Sequence, residues 1–179
     1  NVYLEVGMDV RWEGFGPGGL QEAVDEGVRR AYLDPDNKLR ASVVKDPLFS
    51  RANTKDNTPA VLATTIVPGD KLGVGVAAKG GGSEMKSNFE MLKASDSLVE
   101  WVLKTVPKMG AGWCPPGMLG IGVGGTAEKA MAMAKEALMD DIDMFDLLQR
   151  GPQTDEEKLR VELYEKVNAL GIGAQGLGG

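Results

Sequence analysis

The segment GWCPPGMLGIGVGGT, residues 112–126, holds the only cysteine of the chain. A lone thiol can be a nucleophile, a metal ligand or a small buried hydrophobe. The surroundings of Cys114 favour the ligand. Pro115 and Pro116 lock the backbone that follows and remove two N–H donors. Gly112 and Gly117 permit close approach from either side. The chain has no histidine, so neither a Cys–His pair nor a histidine-ligated zinc can form within it. A rigid loop that fixes a sulfur at one point suits a metal or cluster better than a nucleophile without a base. One thiolate does not hold an iron–sulfur cluster, so a cluster would need ligands from outside these residues.

Three other stretches could bind an anion. KGGGS, residues 79–83, follows an apolar run; its glycines expose N–H groups and leave room for a ligand, and the plain alternative is a flexible turn. GVGGTAEK, residues 122–129, leads into a helix start but matches neither the P-loop nor the dinucleotide pattern. It is assigned to close packing and a cap. Arg40 can grip a carboxylate through two parallel hydrogen bonds, against the alternative of a solvated surface arginine. Arg51, in a polar loop, is a second such candidate. Met131, Met133 and Met139 are read as helix packing.

The elements that must position these residues follow from periodicity. Residues 2–10 read as a strand, and Leu20, Val24, Val28 and Ala31 recur at helical spacing until DPDN, residues 34–37, stops the helix. LRASVV, residues 39–44, is β-prone, and residues 45–59 form a proline-punctuated polar loop. AVLATTIV and KLGVGVAA flank PGD at residues 68–70, which predicts a hairpin. Ser97 with Glu100 predicts a helix over residues 98–106, and MLGIGVGG reads as a buried strand. Thr126 caps a helix over residues 127–139, Thr154 with Glu157 forms a second capping box, and Leu159, Leu163, Val167 and Leu170 make an apolar stripe. The mixture predicts an α/β (mixed α+β) fold, a single domain whose mixed sheet is flanked by helices.

With 179 residues, 42% of them hydrophobic and 26% charged, the chain can build one domain with a real core. A net charge of -6 argues against a nucleic-acid partner, which wants a basic face. No apolar stretch reaches membrane-spanning length, and a single cysteine rules out an internal disulfide. The first residues are already strand-like without an initiator methionine, and the last are a glycine run, so a piece of a longer polypeptide is expected.

Taken in order, LRASVVKDPLFSRANTKDNTPA, KGGGSEMKS, MGAGWCPPGMLGIGVGGTAEKAM and LGIGAQGLGG resemble one family across essentially the whole chain. It is the N-terminal (α-type) region of the class I, iron–sulfur-dependent fumarate hydratases, with the two-subunit tartrate dehydratases as more distant relatives. The resemblance implies a [4Fe–4S] cluster held by three cysteines, and Cys114 matches the middle one. The first belongs to a CQDTG-type segment expected upstream of Asn1, the third is expected downstream of Gly179. Arg40 matches an arginine that contacts a substrate carboxylate, and Gly81 and Gly82 match a substrate-contacting turn. No catalytic proton-transfer residue is carried over onto this chain.

The implied reaction is reversible hydration of fumarate to (S)-malate, with the cluster as Lewis acid. The resemblance also implies that residues 1–179 are an α-type domain incomplete at both ends and inactive alone. It implies a C-terminal or β-type domain or subunit as partner, a homodimer, and a cytoplasmic or organellar setting. The MFDLLQRGPQTDEEK stretch, residues 144–158, looks more like single-chain fumarases than tartrate dehydratases. The alternatives are a tartrate dehydratase α-type subunit, a non-catalytic module that binds anions through its glycine loops, and a structural domain with a buried cysteine.

Overall fold

A computed structural model describes residues 1–14, 16–110, 112 and 117–172; Cys114 lies outside the described residues. The fold is of the expected mixed α/β class, and its contacts divide it into two compact units, Asn1–Gly80 and Gly81–Gly179.

In the first unit, strand β1 (Val2–Gly7) leads to helix α1 (Gly19–Leu33), and strands β2 (Leu62–Val67) and β3 (Leu72–Val76) follow. Alternation puts Val2, Leu4 and Val6 on one face of β1, and all three are buried. The helical stripe Leu20, Val24 and Val28 packs on them. Each such side chain taken from water contributes roughly 1.5–3 kcal/mol.

The expected hairpin does not form. The strand order is β2-β1-β3, with β1 parallel to β2 and antiparallel to β3. β1 carries the apolar face that α1 covers, so it takes the centre and both its edges are paired. The link between β2 and β3 therefore arches over the end of β1. There Gly7 N donates to Lys71 O at 2.9 Å, Met8 N to Val67 O at 2.8 Å and Asp9 N to Gly69 O at 2.9 Å. A Cβ on Gly7 would stand 2.3 Å from Gly69 O, so the crossing requires glycine there. In register with the buried face of β1, Ile66, Leu72, Val74 and Val76 remain exposed.

Residues 39–44 are not a strand either; they make only an isolated bridge from Val44 to Asn53. Asparagine side chains take the backbone groups that a strand ladder would use. Asn57 Oδ1 accepts from Ser42 N at 2.8 Å and Val43 N at 3.1 Å, while Asn53 Nδ2 donates to Ala41 O at 2.8 Å. The end of this loop is clamped to α1. Asp25, 7% exposed, accepts from Ala60 N at 2.7 Å and from Gln21 Nε2 at 3.1 Å. Arg29 Nε donates to Asp56 Oδ2 at 3.3 Å.

The second unit holds helices α2 (Gly81–Glu84), α3 (Leu98–Met109), α4 (Ala127–Glu136), α5 (Met144–Arg150) and α6 (Asp155–Asn168). Both capping boxes supply their N-cap bond. Ser97 Oγ accepts from Glu100 N at 3.3 Å, and Thr154 Oγ1 accepts from Glu157 N at 3.2 Å. α3 outruns its expected end and continues through Pro107 to Met109. Val102, Val106 and Leu163 are buried, and Leu159, Val167 and Leu170 pack on them as the stripe predicts.

MLGIGVGG is not a buried strand; it runs without strand pairing beside α4. Its glycines set this arrangement. A Cβ on Gly120 would lie 2.0 Å from Ala134 O, and one on Gly122 would lie 2.0 Å from Ala130 O. The backbone thus seats in the surface of α4, and Ile121 between them reaches the cluster of Val102, Val106 and Leu163. Thr126 occupies the N-cap position of α4, but no side-chain cap bond forms. Glu128 bonds its own amide and the Thr126 hydroxyl instead, which lowers its carboxyl below the usual range.

α5 and α6 are tied through Arg150. Its Nη2 donates to Glu157 Oε1 at 2.5 Å, and its Nε donates to Asp146 Oδ2 at 3.0 Å. The guanidinium, helped by Gln153 N, holds the Glu157 carboxyl down at about 2. A depressed folded-state value stabilises above the unfolded value of 4.5 and loses that contribution as pH falls from 4.5 towards about 2. Glu157→Gln should therefore remove part of the acid dependence of unfolding in that window and leave the slope near neutrality unchanged. Urea midpoints measured from neutral to acid pH check this, and an unaltered acid slope would contradict the coupling.

Candidate functional site

Arg40 lies on the long connection between α1 and β2, with an exposed side chain and no ion pair among the described residues. Its backbone is held more firmly than its side chain. Leu39 N donates to Asn37 Oδ1 at 2.9 Å, and Asn37 Nδ2 donates to Ala31 O of α1 at 2.5 Å. Beyond Arg40 the Asn53 and Asn57 bonds take over. The loop then turns back through Asp46, whose carboxylate accepts from Ser50 N at 3.0 Å. Four non-glycine residues here, Asp46, Arg51, Lys55 and Asn57, adopt left-handed backbone with φ of 49, 50, 69 and 59°. Arg51 is thereby held in a tight turn; Leu48 and Phe49 beside it are 78% and 79% exposed. An arginine presented this way can meet an anion without being drawn off by a neighbouring carboxylate.

The glycine turn opens the second unit. Gly81 and Gly82 are the first residues of α2, and Gly81 O accepts from Met85 N at 3.0 Å. Glu84 forms an ion pair with Lys135 of α4, which ties this short helix to α4. A Cβ on Gly82 would stand 3.1 Å from the carbonyl oxygen of Gly112, two residues before Cys114. A Cβ on Gly112 would stand 3.1 Å from Lys86 Cε and 3.5 Å from its Nζ. The structure therefore brings the glycine turn against the segment that leads into the cysteine, with a lysine alongside.

Of the four candidate residues, Gly81 and Gly82 lie at this junction, Arg40 belongs to the first unit, and Cys114 falls outside the described residues. Among the described residues no group of three or more His, Cys, Asp or Glu side chains is placed to hold a metal ion. Sequence reasoning missed Lys86 and the asparagines around Arg40. The dense Asn and Asp usage of NTKDNTP, residues 53–59, was the available signal for the latter. No described helix is long and apolar enough to cross a membrane.

Fold and site together define an α/β chain that presents an arginine on a side-chain-braced loop and packs a glycine turn against Gly112. The family model described as "Fumarate hydratase (Fumerase)" matches residues 1–179. The chain belongs to that family. It is 36% identical over 186 residues to a putative L(+)-tartrate dehydratase subunit alpha of Methanocaldococcus jannaschii, covering 99% of this chain and 61% of the relative. It is 27% identical over 165 residues to the L(+)-tartrate dehydratase subunit alpha of Escherichia coli, covering 90% of this chain and 53% of that protein. The same protein of Shigella sonnei matches equally, at 27% over 165 residues. The chain thus spans little more than half to three-fifths of the relatives it matches.

Proposed function

We propose that this chain is the N-terminal, α-type part of a [4Fe–4S]-dependent hydro-lyase that hydrates fumarate reversibly to (S)-malate. The observation that carries the reading is the family match over all of residues 1–179. The packing of Gly82 against Gly112 supports it: the turn to which the resemblance gives substrate contact lies against a residue two positions before Cys114. The donor chemistry fits as one corner of a cluster: the Cys114 thiolate is a soft ligand suited to iron–sulfur centres. With no second cysteine or histidine in the chain, the other ligands must come from the rest of the protein. When bound, the cluster supplies Lewis acidity.

The remaining work falls to this chain's own side chains and amides. Fumarate is a dianion, and Arg40 grips one of its carboxylates in a planar, two-bonded fork. The amides of Gly81 and Gly82 stand at the start of α2, where they have no acceptor within the helix. They add donors for developing negative charge without adding a titratable group. A C-terminal or β-type region completes the protein. The relatives named as alpha subunits support this, as does the exposed apolar surface of Ile66, Val74 and Val76.

Arg40→Lys in the full-length protein should raise KM about tenfold or more, the loss of a charge-assisted hydrogen bond of about 1.5 kcal/mol. Steady-state kinetics check it, and unchanged KM and kcat would refute the assignment.

A second reading is dehydration of L(+)-tartrate, which the names of the matched relatives favour. Anaerobic reconstitution of the full-length protein with iron and sulfide separates the two. Malate formed from fumarate supports the first. Tartrate dehydration without malate formation replaces it with the second, and binding of either diacid without turnover would leave an anion-binding module.

A further inference from the structure

Arg40 sits between backbone groups that asparagine side chains hold on both sides. Upstream, Asn37 Oδ1 accepts from Leu39 N at 2.9 Å while its Nδ2 reaches Ala31 O of α1 at 2.5 Å. Downstream, Asn53 Nδ2 donates to Ala41 O at 2.8 Å, and Asn53 Oδ1 accepts from Lys55 N at 2.7 Å. Asn57 Oδ1 accepts from both Ser42 N at 2.8 Å and Val43 N at 3.1 Å. Four residues flanking Arg40, 39 and 41–43, thus have a backbone group bonded to one of three carboxamides.

These bonds do what a strand ladder would do, with one difference. A ladder would pin residue 40 inside a sheet; the carboxamides pin its neighbours and leave its side chain in solvent. The bracket is itself anchored. Asn37 bonds α1 directly, while the arm carrying Asn57 is tied to α1 through Asp56 to Arg29 at 3.3 Å and Ala60 to Asp25 at 2.7 Å. Asn57 adopts φ of 59°, a conformation that asparagine tolerates better than most residues. Its Oδ1 meets the two amides from that backbone position.

We infer that Asn37, Asn53 and Asn57 are positioning residues that hold the backbone on either side of Arg40 so that its guanidinium meets the substrate carboxylate in one pose. This rests on the proposed role of Arg40. A preorganised cation loses less freedom on binding, so removal of the bracket should act on substrate affinity more than on turnover.

The test separates acceptor from backbone at position 57 in the full-length, cluster-loaded protein. Asn57→Asp keeps an acceptor oxygen and tolerates the left-handed backbone; Asn57→Gly keeps the backbone freedom and removes the acceptor. Asn57→Gly should raise KM about five- to tenfold with kcat changed less than about twofold, and Asn57→Asp should stay near the parent. Hydrogen exchange of the peptide spanning residues 39–44 should speed up in the glycine variant only. In an Arg40→Met background Asn57→Gly should add nothing to KM.

If Arg40→Met raises KM but Asn57→Gly moves neither KM nor exchange, the bracket is overturned and the substrate reading stands. An equal KM effect of Asn57→Gly in both backgrounds overturns it too. If Arg40→Met leaves KM unchanged, the role of Arg40 falls and this inference falls with it. Should Asn57→Gly fail to fold, Asn37→Ala makes the same test from the other side of Arg40, with the same split between KM and kcat expected.

Discussion

Cys114→Ser in the full-length protein should abolish hydratase activity and prevent stable cluster assembly, with the fold kept. A serine hydroxyl is nearly isosteric but far less acidic and a harder donor, so it is a poor stand-in for a thiolate at iron. Loss of a group that merely orients a metal ligand costs about 10–100-fold, and loss of a ligand should exceed that. The expected result is activity down by more than about 100-fold together with loss of the visible absorption of the cluster. Circular dichroism should be little changed. A serine variant that binds a full complement of iron and sulfide and turns over normally would end the ligand assignment. A variant that keeps the cluster and loses only turnover would point to a nucleophilic thiol instead.

Gly122→Ala should strongly destabilise the second unit. Its Cβ would stand 2.0 Å from Ala130 O and 2.7 Å from Ala134 N. Those two backbone groups are one turn apart on α4, where a side-chain rotation cannot make room. Overpacking of this kind costs about 1–3 kcal/mol when neighbours can adjust. Here relief requires residues 120–122 to lift away, which would draw Ile121 off Val102, Val106 and Leu163. Re-exposure of that partly buried side chain adds about 1–2 kcal/mol, for a total of about 2–5 kcal/mol. Gly27→Ala is the control. It lies inside α1 with nothing within 4 Å of its added methyl, so it should be neutral or stabilise by up to about 1 kcal/mol. Urea unfolding of both variants checks the contrast. A Gly122→Ala cost under about 1 kcal/mol would mean that the segment does not seat on α4 as observed.

Helices α1, α3, α4 and α6 were legible because their signals are local; α2 and α5 were not read as helices. Leu20, Val24 and Val28 share a face by their spacing alone, and that face does cover the sheet. Ser97 and Thr154 each stand three residues before the amide they cap. The strands were less legible. Alternation identified β1 and apolar β-branched runs identified β2 and β3 as strands, yet the turn at residues 68–70 suggested that the two flanking runs pair with each other. Nothing in that turn reveals that β1 lies between them. Residues 39–44 and MLGIGVGG were misread for a related reason: β-branched and apolar content marks a segment that must be satisfied and buried, not the partner that satisfies it.

The candidate site divides along the same line. Arg40, Gly81, Gly82 and Cys114 were identifiable from residue type and resemblance, as was the reason each could serve. The approach of Gly82 to Gly112 and the carboxamides around Arg40 were not.

By itself the sequence determined the mixed class, helices α1, α3, α4 and α6, the caps at Ser97 and Thr154, and the residue types on which hydro-lyase chemistry would draw. Each is set within a few residues by the 3.6 and 2.0 repeats and by side chains that bond their near neighbours. The tertiary structure alone decided the strand order, the seating of Gly120 and Gly122 on α4, and the hold on Arg40. These depend on contacts such as Val2 with Leu62 and Val76, or Ser42 with Asn57, which chain closure and burial select and no local repeat encodes.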